Sequence, residues 1–213
     1  GGPEPNQSEF AVALAEGISL LAQRLRRKTL VLFTAHETLR RVEEILREPL
    51  EERGIRVLAQ GRDRDRRRLR AGFLAEGPAV LLGAASFWEG VDFPGEDLEV
   101  LIMARLPFLV PNDPVVESIG ERLRRDGHDP FREHQLPEAI IRFRQGFGRL
   151  IRRRTDRGLF VVVDPRLRTR PYGRGFQRSV GVAFGSCDTW EELAADAEAW
   201  FSPQTPPPAP SES

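Results

Sequence analysis

Residues 29–50 read TLVLFTAHETLRRVEEILREPL, and the change of period inside this stretch decides the fold class. Thr29 to Thr34 has no polar alternation, as expected of a strand covered on both faces. Behind it Leu39, Val42, Ile45, Leu46 and Leu50 recur at helical spacing, with Arg and Glu on most of the other positions. A buried strand running directly into an amphipathic helix is the first half of a parallel crossover unit.

The same alternation continues along the chain. A short strand is predicted near Ile55 to Ala59, then an arginine-rich helix from about Asp63 to Ala75 marked by Leu69, Phe73 and Leu74. Buried strands follow at Ala79 to Ala85 and Leu98 to Ala104. After the loop LPFLVPNDP (106–114), a helix from about His134 to Arg154 leads to the strongest strand signal, Leu159 to Asp164. About five parallel strands with interleaved helices make an α/β fold with an open, doubly wound, mainly parallel sheet and helices on both faces. Further helices are predicted at Ser8 to Arg26 and Thr189 to Phe201. The organisation expected is a lead-in helix within 1–27, the main domain at 28–186, a C-terminal helix within 187–202, and a Pro-rich disordered tail at 203–213. Ligands of such sheets gather at the carboxyl ends of the strands, which directs attention to loops 34–37, 60–62, 86–95 and 105–114.

The chain has 213 residues, and 32 Lys plus Arg balance 32 Asp plus Glu. With 40% apolar residues and 13 Phe it can bury a core, which excludes wholesale disorder. The balance conceals two asymmetries. Of the 32 basic residues, 31 are Arg and Lys28 is the sole lysine. Charge is also segregated. Arg62 to Arg70 holds six Arg and two Asp, and Arg142 to Arg178 holds twelve Arg and two Asp, whereas Asp188 to Ser213 has six acids and no base. Arg-dense segments point to a polyanion partner, although the first cluster also reads as a solvated helix face. The one cysteine, Cys187, excludes an internal disulfide or a cysteine-based metal site. It fits a reducing cytoplasm. No run approaches the roughly 18 apolar residues of a membrane span, and no signal-peptide pattern opens the chain.

Three constellations carry chemistry. Gln145-Gly-Phe-Gly148-Arg149-Leu-Ile-Arg152 is a QxxGRxxR pattern on the predicted helix. Helical spacing puts Gln145, Arg149 and Arg152 at i, i+4 and i+7, on one face. Fixed guanidiniums beside an amide form a clamp for phosphate oxygens. Gly146 and Gly148 each cost a helix roughly 1 kcal/mol relative to Ala, so something close by is expected to need the space. The second constellation, FWEGVDFPG (87–95), follows a buried strand: Gly90 and Gly95 free the backbone, Asp92 accepts hydrogen bonds, and Phe87 and Trp88 either stack on bases or plug the core. The third, LFTAHET (32–38), offers Thr34 and His36, with Thr34 equally readable as a helix cap.

In order and spacing these three resemble motifs IV, V and VI of superfamily-two helicases. FWEGVDFPG, QGFGRLIRR, the LPF after the intervening strand and HQLPEAIIRFRQG look like the DinG/XPD-type family, over about residues 10 to 185. The resemblance implies a RecA-like second motor domain. Carried over by position, Arg149 and Arg152 are its arginine fingers, and Gln145, Gly148, Gly90 and Asp92 serve the nucleotide site. Thr34, His36 and Trp88 touch nucleic acid. The implied cofactors are ATP and Mg²⁺, shared with a first RecA-like domain, and the implied partner is single-stranded DNA, traversed 5′ to 3′. No metal ligand is expected in this chain. An iron–sulfur cluster is expected only in a part outside it.

A phosphoryl-transfer motor also needs a GxxxxGK[ST] loop, and Lys28, in Arg26-Arg-Lys-Thr29, has no glycine before it. No DEAH or DEAD sequence occurs either. The expectation is half a motor, inactive alone. A noncatalytic module that binds single-stranded nucleic acid or a protein remains the alternative; a nucleotide-sugar or other nucleotide-binding enzyme leaves the paired arginines unexplained. Titrating labelled single-stranded DNA at two salt concentrations separates the first two: tight, strongly salt-dependent binding by the isolated chain favours the module.

Overall fold

The computed structural model describes residues 7–61, 65–84, 98–109, 113–151, 153 and 156–202. Trp88, Gly90 and Asp92, as well as Arg152, the expected helix start at Asp63 and the tail from 203, lie outside the described residues.

Five parallel strands, β1 (Thr29–Phe33), β2 (Arg56–Ala59), β3 (Ala79–Ala84), β4 (Val100–Met103) and β5 (Leu159–Val162), form one sheet in the order β2-β3-β1-β4-β5. Every residue of β1, β3 and β4 is buried, which is why their text shows no polar alternation. β1 is central, with Val31 opposite Leu82 on one side and Ile102 on the other.

The helices are α1 (Gln7–Leu25), α2 (His36–Glu51), α3 (Arg66–Leu74), α4 (Pro114–Arg125), α5 (Leu136–Leu150), α6 (Arg166–Thr169), α7 (Gly173–Val180) and α8 (Trp190–Phe201). Val31, Phe33, Leu82 and Ile102 face a core closed by α1, α2 and α8. Leu30, Leu32, Leu81, Leu101 and Met103 face the opposite core, where Phe73 of α3, Phe143 of α5 and Phe176 of α7 lie. The period of two in the strands thus feeds two layers, and the fold is the doubly wound α/β class read from the sequence.

Local chemistry moved several boundaries. α3 starts at Arg66 because the Asp65 carboxylate accepts from the Arg67 amide and caps it. α4 is absent from the sequence reading, although Asp113 accepts from the Val115 amide at 2.8 Å and Pro114 occupies the first turn, the residue types that start helices. The helices α6 and α7 also lie where none was predicted. The predicted helix 134–154 is a π turn at Phe131–Gln135 followed by α5, which stops at Leu150 rather than Arg154. Ile151 is already extended, and Arg153 and Asp156 close a turn through the Asp156 carboxylate and amide. The chain must reverse there to enter β5 parallel to β4. α5 thus ends before residue 152, and the expected placing of Arg152 beside Gln145 and Arg149 falls outside the described residues.

Gly17 sets how closely α1 and α8 approach. A Cβ at Gly17 would fall inside the Trp190 indole at the start of α8. Gly17→Ala is therefore expected to lower stability by about 1–3 kcal/mol, despite its better helix propensity. Thermal unfolding of this variant checks it: an unchanged or raised midpoint contradicts the packing described.

Candidate functional site at the two edges of the sheet

The candidate residues divide between opposite edges of the sheet. At the carboxyl edge, β1 runs out into half-buried Thr34 and exposed Ala35 and His36. The N-cap of α2 is Ala35, with no side-chain cap bond, so Thr34 is not the cap that its position suggested. The chain places the cap one residue later because the Leu39 amide donates to the Ala35 carbonyl. Gln60, after β2, accepts from the Ala84 amide at 2.8 Å and joins the ends of β2 and β3.

Sequence reasoning missed a built feature on this edge. Asp164, just past β5, is 2% exposed. Its carboxylate accepts from the Leu106 amide (2.9 Å), the Arg166 amide (2.9 Å) and the Arg166 guanidinium (2.7 Å at Nη2, 3.0 Å at Nε). Burial alone would raise its pKa, but the Arg166 guanidinium and the two amides outweigh burial and hold it below the ordinary carboxylate value. One carboxylate thus fixes the loop following β4 to the turn following β5. Arg166 also lies over the Phe108 ring, 5.4 Å from its centroid, and Phe108 packs on Phe131, Tyr172 and Phe176. The available signal was an Asp at a strand end followed by Pro165-Arg166, a turn-forming combination.

The QxxGRxxR segment is delivered to the amino edge. Leu150, which ends α5, packs against Gly158 at the foot of β5, and a Cβ at Gly158 would stand 3.1 Å from the Glu99 carbonyl just before β4. Gln145 is exposed and Arg149 half-buried, one turn apart on α5, while Phe143, Gly146 and Leu150 form its buried side. Gly146 thus belongs to the buried stripe. Gly148 is exposed, and nothing among the described residues stands within 4 Å of where its Cβ would be. The space expected to be filled at Gly148 is open. The structure therefore brings Gln145, Gly148 and Arg149 together and holds them apart from Thr34 and His36 by roughly a strand's length, about 16 Å at 3.3 Å per residue.

Lys28, also at the amino edge, donates to the Leu74 carbonyl at the end of α3 (3.1 Å). Among the described residues no group of three or more His, Cys, Asp or Glu side chains could hold a metal ion, and no helix is long and apolar enough to cross a membrane.

A family model described as a helicase C-terminal domain matches residues 18–182. The chain is 39% identical over 193 residues to the 3′-5′ exonuclease DinG of Bacillus subtilis, covering 90% of this chain and 21% of that protein. It is 39% identical over 181 residues to the ATP-dependent DNA helicase YoaA of Escherichia coli, covering 85% and 28%. The chain thus spans about a quarter of the length of these curated relatives. A solved XPD helicase superposes with a TM-score of 0.63 at 15% identity, over 81% of this chain and 30% of its own. The C-terminal domain of the DEAD-box protein Dbp5 does so with a TM-score of 0.50 at 14% identity, over 91% and 92%.

The Asp164 cluster gives a signed pH expectation. A carboxylate with a lowered folded pKa stabilises the fold above its unfolded value, about 3.9, and loses that contribution as pH falls through the folded pKa. Asp164→Asn should cost about 2 kcal/mol at neutral pH, and its deficit relative to the parent should narrow below about pH 4. Denaturant titrations at pH 7 and pH 3 test this, and a deficit constant across that range contradicts it.

Proposed function

Because this chain belongs to the helicase C-terminal domain family, in its DinG/XPD-type branch, we propose that it is the second RecA-like motor domain of an ATP-dependent DNA helicase. The observation that carries the reading is the amino edge: Gln145 and Arg149 one turn apart on α5, beside the open face left by Gly148. An amide and a guanidinium one turn apart on a helix suit a phosphate presented by another domain. In phosphoryl transfer the protein's task is largely positioning and neutralising charge on the transferring group, which a guanidinium fork does well.

In this reading Arg149 and Arg152 are the arginine fingers, directed at the phosphates of ATP held by a first motor domain. Gln145 donates to the nucleotide or the attacking water, and Gly148 keeps a Cβ out of the phosphate's path. Gly90 and Asp92 link nucleotide state to the DNA groove. ATP supplies the phosphoryl group, and its Mg²⁺ is shared with the first motor domain. At the opposite edge Thr34, His36 and Trp88 contact single-stranded DNA, with 5′ to 3′ travel resting on the family resemblance. We place the protein in the cytoplasm. An iron–sulfur cluster does not fit this chain. Its single Cys187 has a thiol pushed up by burial and by Glu192, Asp196 and Asp188, the reverse of what thiolate ligation needs.

The test uses the intact helicase that contains this domain. Arg149→Ala is expected to lower DNA-stimulated ATP hydrolysis by roughly 10³-fold, the lower end of what an arginine finger contributes, with single-stranded DNA affinity nearly unchanged. Arg152→Ala is expected to act in the same direction. Full activity in Arg149→Ala removes the finger assignment.

A further inference from the structure

Three arginines from three separate elements converge on the last turn of α8. Arg24, at the end of α1, makes a two-point bond to Glu198, at 2.7 Å and 3.0 Å. Arg27, between α1 and β1, lies over the Phe201 ring at 4.1 Å from its centroid and pairs with Glu99 at the foot of β4. Arg157, in the turn between α5 and β5, lies over the Trp200 ring at 4.8 Å and donates to the Trp200 carbonyl at 2.8 Å. That carbonyl is one of the last in α8, which has no basic residue in its own final turn, so Arg157 supplies both a donor and a charge where the helix end presents oxygen.

Arg157 is the member of this set that reaches the candidate active edge. It directly precedes Gly158, the residue on which Leu150 packs, and Leu150 directly follows Arg149. Trp200 is 47% exposed, whereas the buried side of α8 is Ala194 and Ala197. A large indole left half in water, with an arginine from the α5–β5 turn laid across it, contributes little to the core. It ties the end of α8 to Arg157. α8 moreover lies beyond residues 18–182, the span of the helicase family match.

We propose that the Trp200–Arg157 contact is a positioning device that fixes the turn after α5 and thereby the aim of Arg149. The inference rests on the arginine-finger reading. Trp200 and Arg157 are positioning residues. The chain of contacts is short: Trp200 to Arg157, Gly158 to Leu150, and Leu150 to Arg149 on the same helix. A guanidinium that must meet a phosphate held by another domain is sensitive to about 1 Å, a misplacement that can cost roughly 10²-fold in rate.

The experiment is a set of variants in the intact helicase, read by DNA-stimulated ATP hydrolysis, KM for ATP, single-stranded DNA affinity and thermal midpoint. Trp200→Ala is expected to lower kcat roughly tenfold, with the midpoint and DNA affinity close to the parent. Trp200→Phe, which keeps a ring under Arg157, should restore most of it. Arg157→Ala removes both the ring contact and the carbonyl bond and should lose more. Because the device acts through Arg149, adding Trp200→Ala to Arg149→Ala should cost nothing further. Parental kcat in both Trp200→Ala and Arg157→Ala overturns the inference, as does a loss that multiplies fully with that of Arg149→Ala. A silent Arg149→Ala sinks the finger reading and this inference with it. An active-site loss in Arg149→Ala beside silent Trp200 and Arg157 variants sinks the positioning device alone.

Discussion

Two neighbouring parallel strands cannot be joined by a tight turn, and the remaining geometry follows from that constraint. β4 and β5 are parallel neighbours, so the chain leaving β4 at the carboxyl edge must return to the amino edge before β5 can start. α5 is the return segment. Its inner side, Ala139, Phe143, Gly146 and Leu150, is held against the sheet, and its end is fixed where Leu150 meets Gly158. Gln145, Gly148 and Arg149 occupy the last turns of that helix, so the crossover delivers them to the amino edge. The same constraint puts the exits of β1, β2 and β4 at the other edge, with Thr34, His36 and the segments that flank them.

The two edges are stabilised by different chemistry. At the carboxyl edge a buried carboxylate, Asp164, gathers a guanidinium and two amides, an arrangement with every strong acceptor site directed inward. At the amino edge the bonds are more exposed. Arginines there reach the carboxylates of Glu99 and Glu198, the rings of Trp200 and Phe201, and the Trp200 carbonyl. The preference for Arg over Lys makes sense in that setting, because a planar guanidinium can stack on a ring and donate to a carbonyl at once. Glu198 near the end of α8 pairs with Arg24 near the end of α1, so part of the neutral total charge is internal pairing across the fold.

Period and burial made much of the fold legible in the sequence. The strands around Val31, Leu81 and Ile102 are apolar on both faces because both faces are covered, and α2 shows its buried stripe in Leu39, Val42, Leu46 and Leu50. α4 was legible and went unread: Val116, Ile119 and Leu123 stand at helical spacing, and Asp113 and Pro114 mark its start. What escaped depends on single contacts. The end of α5 depends on a turn closed by Asp156, and Leu150 with Gly158 fixes the place. The candidate residues on α5 were legible as an Arg and Gln repeat, but the edge of the sheet they reach was not, because that depends on where α5 ends against Gly158. Asp164 read as the last residue of a strand, because nothing local shows that a buried amide 58 residues earlier in the chain lies beside it.

An arginine finger is distinguished from any other anion-binding arginine by when its bond forms. If Arg149 meets charge that develops during phosphoryl transfer, it should contribute far more to binding a transition-state mimic than to binding product. The decisive measurement is the affinity of the intact helicase, with and without Arg149→Ala, for ADP and for ADP with aluminium fluoride. The account predicts a loss of roughly 10²-fold or more for the fluoride complex with ADP binding nearly unchanged. Equal losses for both ligands, or none for either, would contradict it.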